Sequence, residues 1–512
     1  MQNFDFSFGP KGGKRREEEP FYLGVLADLS GQPAQPLPPL ASRRFLEIDL
    51  DNFDERVRRA APRLAFQVPN VVAGKGLLDV ELSFAAFEDF WPAAVTAKVE
   101  LLQKLWTARE QLAGKRAQAK GLQGRPQMEQ LLSEALDDAE LVQAILPSAG
   151  APQPATEPEA PPSQAPPEGL SDLDKLLGMK PGERPAQRPS SPIQHIFEEA
   201  LADTPRISDE AVTTIGALIE RLDELFSAQL TLVLHHDAFQ SLEATWLGID
   251  YLVKNCELDE NLKIRVLNIT KAELAAALQW PDWDENPLLL MMKHEPYGCL
   301  LGDYYFDHSP GDVAVLSGMA RLSSTLGFPF VTAAAPSFLG LGSWRELRVT
   351  KELPGILQHA DHAAWRELAT SSGAQHLYLT MPRFLGRLPY GKDTNPAEGV
   401  ALQERFSVAS DRDFVWCNAA YGVGAVVCRA FTQDGWEARI AGGGEESMIE
   451  GLPVLTYTDK DGEQEIMCPT EVSMTVEAAA LLTACGLTPL LHVKNTDRAL
   501  FAYAPTLRKP PR

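Results

Sequence analysis

The sequence has few of the features that mark secreted, membrane or metal-binding proteins. Its six cysteines are scattered through the second half of the chain without any C-x-x-C pair, which predicts reduced and mostly buried thiols. No apolar run is long enough to span a bilayer, and residues 1–20 lack the apolar core of a signal peptide. The sequence therefore predicts a cytoplasmic protein that is not inserted in a membrane.

Positive charge is also scarce. Lys and Arg number 47 against 70 Asp and Glu, which gives a formal net charge of −23. Binding to phosphate needs clustered cations, so this balance excludes broad affinity for nucleic acid or anionic membrane. The 512 residues, 45% of them hydrophobic, are enough for roughly three ordinary globular domains.

The motifs of the common enzyme classes are missing as well. There is no G-x-S-x-G elbow, no reactive-cysteine signature and no P-loop. Three glycines at 442–444 are followed by Glu445 and Glu446, which would repel phosphate, so a flexible turn is predicted there. We therefore expect no enzyme activity and no cofactor.

Two groups of histidines are candidate metal ligands. His235 and His236 precede Asp237 at a predicted helix end, and His359 and His362 share a face of a second predicted helix. Neither group has further ligands at the spacing that a metal site requires. They are predicted to be helix-terminal and surface histidines, and no metal is expected.

One dense polar cluster remains in a loop rich in Pro and Gly. Such loops commonly carry tertiary hydrogen bonds, so a structural role is favoured over catalysis, which would need a cleft with convergent polar groups. The cluster consists of Arg383, Arg387, Tyr390, Lys392 and Asp393.

The clearest landmark of the chain is the stretch from 147 to 192. It contains twelve prolines with Ala, Ser, Gln and Glu, a composition that cannot bury enough apolar area to offset the entropy of ordering. We expect a disordered Pro-rich linker. It divides the chain into a first segment, residues 1–146, and a second segment, residues 193–512.

The first segment is predicted to form a small α/β unit with a helical end. The apolar run 21–28 is typical of a buried strand, a second strand is predicted at 45–50, and Asn52 or Asp51 is placed to cap a short helix. A strand pair then follows at 66–68 and 78–84, and a helix at 87–112.

The second segment opens with a long amphipathic helix that Ser208 is placed to cap. Its broad apolar face predicts core packing, with a coiled-coil seam as the alternative. A second helix follows His236, and helices then alternate with predicted strands at 263–269, 297–302, 329–335, 376–380 and 490–493. This alternation predicts a larger α/β domain with a mixed or parallel sheet.

Many short runs of the second segment resemble one protein family and follow one another in the same order as in that family. By these runs the second segment is similar to the large subunit of the type VI secretion contractile tail sheath. The runs are SAQLTLVLHH (227–236), FQSLEATW (239–246), NLKIRVLN (261–268), EPYGCLLGD (295–303), AAAPSFLGL (333–341), MPRFLGRLPYGKDTN (381–395), WCNAAY (416–421), EGLP (450–453), CPTE (468–471) and KNTD (494–497).

The first segment resembles the small sheath subunit, which is usually a separate chain. The matching runs are PFYLGVLADLSG (20–31), IDLDNF (48–53), PRL (62–64) and the region 78–90, extended by Pro92 and Val95. The chain therefore looks like the two subunits fused through the Pro-rich linker. We predict that the two segments pair within one chain, because a tether raises their effective concentration.

The resemblance implies a structural protomer for protein secretion. Sheath subunits self-assemble into a helical tube around an inner-tube protein on a baseplate, with strands of neighbouring protomers interlaced. Contraction repacks the interfaces and drives the inner tube outward, after which an AAA+ unfoldase takes the sheath apart. The large subunits of this family continue beyond the point matched by residue 497, so the C-terminal part of that subunit is expected to be missing. A non-propagating paralogue that acts as cap, seed or adaptor is the alternative.

Two short apolar motifs are candidates for recognition by the unfoldase. One is LSDLDKLL at 170–177 and the other is IQHIFEEAL at 193–201. The alternative for the motif at 193–201 is that it docks on the core of its own domain. Short apolar motifs in linkers often bind grooves. The candidate residues are Leu170, Leu173, Leu176, Leu177, Ile193, Ile196 and Phe197.

Overall fold

The structure is a computed structural model of the chain. It describes residues 6–7, 19–119, 211–347, 353–440, 442–458 and 462–502. The predicted linker at 147–192 and both of its boundaries lie outside these ranges, so the division into segments remains a prediction.

Helices of the described residues fall in both segments. They are α1 Phe53–Ala60, α2 Pro92–Lys98, α3 Glu100–Ala119, α4 Ala211–Leu234, α5 Asp237–Lys254, α6 Lys271–Leu278, α7 Pro287–Met292, α8 Pro310–Leu326, α9 Leu353–Ile356, α10 Ala363–Thr370, α11 Ala419–Asp434 and α12 Val476–Ala484.

Strands also fall in both segments. They are β1 Phe6–Ser7, β2 Phe21–Ala27, β3 Leu46–Ile48, β4 Arg63–Pro69, β5 Leu77–Ser83, β6 Leu262–Asn268, β7 Tyr297–Phe306, β8 Phe330–Ala334, β9 Leu377–Met381, β10 Phe384–Leu385, β11 Trp416–Cys417, β12 Arg439–Ile440, β13 Met448–Ile449, β14 Thr456–Thr458, β15 Gln464–Ile466, β16 Leu487–His492 and β17 Ala499–Phe501.

Nine of these strands form one mixed sheet. Their order is β13-β17-β16-β9-β8-β7-β2-β6-β3. The inner strands from β16 to β6 run parallel to one another, and the short edge strands pair antiparallel. The predicted α/β class with a mixed sheet is confirmed.

The inner strands read as continuous apolar runs because both faces of the sheet are covered. The core on one face includes residues of α4, α5 and α11, and the core on the other face includes residues of α6, α8 and α10. Within β2, Val25 belongs to the first core and Leu26 to the second, and both side chains are fully buried. A strand that is apolar on both faces needs a covering layer on each face. The small first segment does not supply both layers by itself.

The predicted strands and helices are present, although several differ at their bounds, and the cap predicted at Ser208 lies outside the described residues. The predicted helix at 87–112 is broken into a 3-10 turn, α2 and α3, because Pro92 begins a new helix and Val99 is extended. The second strand covers only 46–48, and Leu50 is 62% exposed rather than part of it. The predicted surface location of His362 is also wrong, because this residue is buried.

Candidate functional site: the seam between the two segments

The two segments meet in the middle of the large sheet. Strand β2 of the first segment pairs in parallel with β6 along all seven of its residues, and with β7 on its other side. Gly298 of β7 lies so close to β2 that a Cβ at this position would be 1.9 Å from the Phe21 ring. The second segment therefore has its sheet closed by a strand from the first.

Polar contacts fix the carboxyl end of β2. The Leu29 N–H donates to Asn268 Oδ1 at 3.0 Å, and the amide of Asn268 donates to Ser30 Oγ at 2.6 Å. The indole N–H of Trp246 donates to the Leu29 carbonyl at 3.3 Å. These bonds satisfy backbone groups that leave the sheet here, and each one joins the first segment to the second.

An ion pair lies beside these contacts. The Arg43 guanidinium binds both carboxylate oxygens of Glu273, one of them at 2.9 Å, and also donates to the Asn268 carbonyl at 2.8 Å. The hydrogen bond from Arg43 holds the pKa of Glu273 below its usual value. Glu273 also forms a capping box with Thr270 at the start of α6, so this carboxylate serves both segments.

Helices α3 and α4 form a second part of the seam. Their apolar faces are buried against each other, and the rings of Trp106 and Phe226 lie 5.4 Å apart. Arg109 binds Asp223 at 3.1 Å at the edge of this contact. The predicted helical spacing of Leu101, Leu105, Ala108 and Leu112 is confirmed, since all four are buried.

The hairpin β4–β5 and the loop within it form a third part of the seam, where they contact α4 and the start of α5. The Gln229 side chain donates to the Pro69 carbonyl at 3.0 Å and accepts from the Val71 N–H at 2.9 Å. The Phe66 ring stacks on the His236 ring with centroids 4.0 Å apart. His236 also accepts from the Ala238 N–H as the N-cap of α5, so its role is structural.

A buried cluster of charges lies where α4 meets α5. The Arg387 guanidinium donates to Glu243 at 2.6 Å and to Glu404 at 2.9 Å, and His235 Nε2 lies 2.7 Å from Glu404. Burial raises the pKa of Glu404, but Arg387, His235 and the Tyr390 N–H outweigh it and bring that pKa to about 2. For Glu243, burial outweighs Arg387 and raises the pKa.

This charge cluster was not predicted from the sequence, although a signal for it exists. Glu243 follows Phe239 by four residues and precedes Trp246 by three, so it occupies a position on the apolar face of α5. A carboxylate at such a position is buried and needs a cation. Its partner Arg387 is 144 residues away, which no local pattern indicates.

A cleft of about 480 Å³ lies at the carboxyl ends of β2 and β7. At its floor Asp303 accepts from the Thr245 hydroxyl at 2.7 Å and from the Tyr421 hydroxyl at 3.0 Å, and burial raises its pKa. Arg383 lines the cleft but is held by Glu471 through two bonds of 2.7 and 2.9 Å. Arg383 is paired with Glu471, and Asp303 is held by two hydroxyls, which suits a structural role.

The predicted polar cluster does not converge on one point. Arg383 and Arg387 are ion-paired as described, Tyr390 is buried, and Lys392 and Asp393 are exposed to solvent. The prediction of tertiary hydrogen bonds in this loop is confirmed for its two arginines.

The remaining candidates of the sequence analysis are also placed. His362 is buried because its ring packs against His308 and Phe338, and it binds the Phe338 carbonyl at 3.0 Å. His359 is exposed as predicted, and the turn at Gly443 is confirmed by its φ of 88°. None of the six cysteines, all of which lie in the described ranges, forms a disulfide, and four of them are buried. The unfoldase-recognition candidates at 170–177 and 193–201 lie outside the described residues.

Metal and membrane features were searched over the same residues. Within the described ranges, no group of three or more His, Cys, Asp or Glu side chains is arranged to hold a metal ion. Among the helices that the structure describes, none has the length and apolar character to cross a bilayer.

Family comparisons assign the two segments to two related protein families. Residues 216–508 match the family described as EvpB, tail sheath N-terminal domain. Residues 3–150 match the family described as type VI secretion system, VipA. The first match covers more than half of the chain.

Two relatives from Pseudomonas aeruginosa agree with this division. The type VI secretion system sheath protein TssC1 is 41% identical over 339 residues, which cover 64% of this chain and 68% of the relative. The sheath protein TssB1 is 45% identical over 143 residues, or 28% of this chain and 80% of the relative. The chain therefore belongs to the type VI secretion tail-sheath family, a structural and non-enzymatic family, and joins both of its subunit types in one polypeptide.

Proposed function

We propose that this chain is the repeating protomer of a contractile type VI secretion sheath. In this role it polymerises into a helical tube around an inner-tube protein, is mounted on a baseplate in the cytoplasm, and contracts to drive the inner tube outward. Its work is mechanical, so it needs neither an active site nor a cofactor.

The position of β2 is the observation that carries this proposal. A strand from the segment that matches the small subunit closes the sheet of the segment that matches the large subunit. The fused chain therefore contains both parts of the building block in one folded unit. Such a unit can repeat along a helix without a second type of sheath chain.

The edge strands of the large sheet are short, which favours assembly of protomers through surfaces other than these two edges. Its edge strands β3 and β13 have only three and two residues, which leaves little backbone for a neighbouring strand to pair with. Interlacing of protomers would therefore use the shorter sheets of the described residues. Contraction, in this proposal, exchanges one set of contacts between folded protomers for a more stable set.

Electron microscopy of the full chain tests the proposal. The chain is expressed with its inner-tube protein, and the purified material is imaged by negative stain. Hollow tubes of two widths, an extended and a contracted form, are expected. Tubes of one width under all conditions would support assembly but contradict contraction. Discrete particles of folded protein would favour the cap, seed or adaptor alternative.

Recycling by an AAA+ unfoldase is a further part of the proposal. We expect one of the two apolar motifs, 170–177 or 193–201, to be the segment that the unfoldase binds. Contracted tubes are incubated with unfoldase and ATP, and the loss of tubes is followed by light scattering. Replacing the leucines of 170–177 by serine, or Ile193, Ile196 and Phe197 by serine, identifies the motif. If both variants disassemble at the rate of the parent chain, neither motif is the recognition site.

A further inference from the structure

The connection between the two segments raises a question that the sheath role does not answer. Ala119 ends α3 and Ala211 begins α4, so 91 residues separate these helices along the chain. Every second segment needs a β2 to close its sheet, and every neighbouring chain carries an identical one. Two arrangements are therefore conceivable: pairing within a chain, or exchange of first segments between chains.

The contacts between α3 and α4 define how these helices run. Trp106 packs on Phe226, and Arg109 binds Asp223. Further along, a Cβ on Gly216 would lie 3.2 Å from Arg116 Nη2. Each step toward the C-terminal end of α3 is matched by an equal step toward the N-terminal end of α4. The two helices are therefore antiparallel and stay in register along their contact.

This register places both ends of the connection at one end of the helix pair. Packed helices lie about 8–10 Å apart. An extended chain spans up to roughly 3.5 Å per residue, so about four residues could bridge that gap. The 91 residues present exceed this need many times over. No span elsewhere on the protein has to be covered to join the segments.

We propose that α3 and α4 pair within a single chain, so that each protomer supplies its own β2, and that the length of the connection is not needed for this pairing. The choice is made while chains fold, before they assemble. A tether keeps the first segment of the same chain at an effective concentration on the order of mM, above that of the first segments of other chains in dilute solution, which favours pairing within the chain. The inference goes beyond the sheath role, because it holds whether or not tubes form.

A cross-linking experiment separates the two arrangements. The variant R109C/D223C carries two thiols at the α3–α4 contact, where both native side chains are partly exposed. A protease site is inserted between 120 and 210, and the largest assembly that the chain forms is treated with a short bismaleimide. After cutting, pairing within the chain leaves the halves linked at the mass of one chain on a denaturing gel. A ladder of dimers and higher species, or no link at all, would overturn the proposal. R109C alone, treated in the same way, is the control for the native cysteines.

A deletion provides an independent test. Residues 120–210 are replaced by ten Gly and Ser residues, which reach at most about 35 Å and cannot join α3 to the α4 of a distant neighbour. We expect a folded protein with an unchanged melting temperature and the same oligomeric mass as the parent chain. Loss of folding, or a change in oligomeric mass, would overturn the proposal. The control keeps the parent length and replaces 120–210 by a Gly/Ser segment of 91 residues. Both tests read folding and mass, so their outcome does not depend on whether the chain contracts.

Discussion

The β2 seam and the charge cluster around Arg387 are both buried, but they are held together by different interactions. Seven residues of β2 lie between two parallel strands, and most of their side chains are apolar with little or no exposure. Around Arg387, two carboxylates and a histidine are removed from water and held by a few short bonds. The seam spreads its stabilisation over a large apolar area, whereas the cluster concentrates it in one cation.

This difference decides how each region responds to change. Apolar burial is roughly proportional to area and non-directional, so small volume changes have graded effects. A buried ion pair is weak evidence for net stability, yet removal of one partner is costly because a charge remains without compensation. We therefore expect the seam to be destabilised most by an inserted charge. The cluster should be destabilised most by removal of one of its charges.

The largest expected effect is the insertion of a charge into the seam. Val25→Asp places a carboxylate at a fully buried position of the apolar core, on the strand that lies between β6 and β7. We expect a loss of at least about 5 kcal/mol, comparable to the whole stability of a domain. Soluble yield and limited proteolysis measure the outcome. Thr458→Asp on the exposed strand β14 is the control, and equal stability of the two variants would show that β2 does not lie inside the sheet.

Removal of the central cation should be the next largest effect. Arg387→Met leaves Glu243 and Glu404 buried beside each other, and we expect a loss of about 3–5 kcal/mol in urea unfolding. The double variant R387M/E243L should lose less than R387M, because it removes one of the stranded carboxylates. Arg63→Met breaks the exposed pair with Glu81 and should cost less than about 1 kcal/mol. A similar loss for R387M and R63M would contradict the comparison.

The pH dependence of Glu404 sharpens the same contrast. Its pKa is lowered from 4.5 to about 2, so its contribution to stability is complete above the unfolded value and is lost as the pH falls toward 2. Glu404→Gln should cost on the order of 2–3 kcal/mol at pH 7, and the gap to the parent chain should close as the pH falls from about 5 to 2. Urea unfolding at pH 7 and pH 3 measures this gap.

Asp303→Asn is the matched variant, because its stability relative to the parent chain should change with pH in the opposite direction. Burial raises its pKa, so the folded state loses stability as the pH rises through the unfolded value of 3.8 and on to the raised one. Asp303→Asn removes that loss while keeping an oxygen that accepts from Thr245. The variant should gain relative to the parent chain as the pH rises. A change of the same sign in both variants would contradict the assignment of these shifts.

The smallest effect concerns packing within the seam. Gly298→Ala brings a Cβ onto the Phe21 ring, which should cost about 1–3 kcal/mol through overpacking. Combining it with Phe21→Leu should recover part of the loss. Gly114→Ala on α3 meets open space and should gain about 0.5–1 kcal/mol. Non-additivity of the Gly298 and Phe21 changes in urea unfolding confirms the contact, and strict additivity would argue against it.

Much of the fold was accessible from local pattern. The continuous apolar run at 21–28 predicted a buried strand, and the spacing of Leu101 and Leu105 predicted α3. The seam itself was not accessible, because nothing at 21–28 indicates that its partners are β6 and β7, more than 230 residues away. The buried location of His362 was missed for the same reason, since its partners Phe338 and His308 come from other elements.

The sequence by itself determined the class of the longer elements, the sheath family and the lack of known catalytic motifs. These follow from periodicity, composition and residue runs, which are properties of neighbouring residues. Only the tertiary structure decided that the first segment closes the sheet of the second, and that Arg387 neutralises Glu243. Both depend on which distant groups lose their water together, and desolvation is a property of the folded chain rather than of any stretch of sequence.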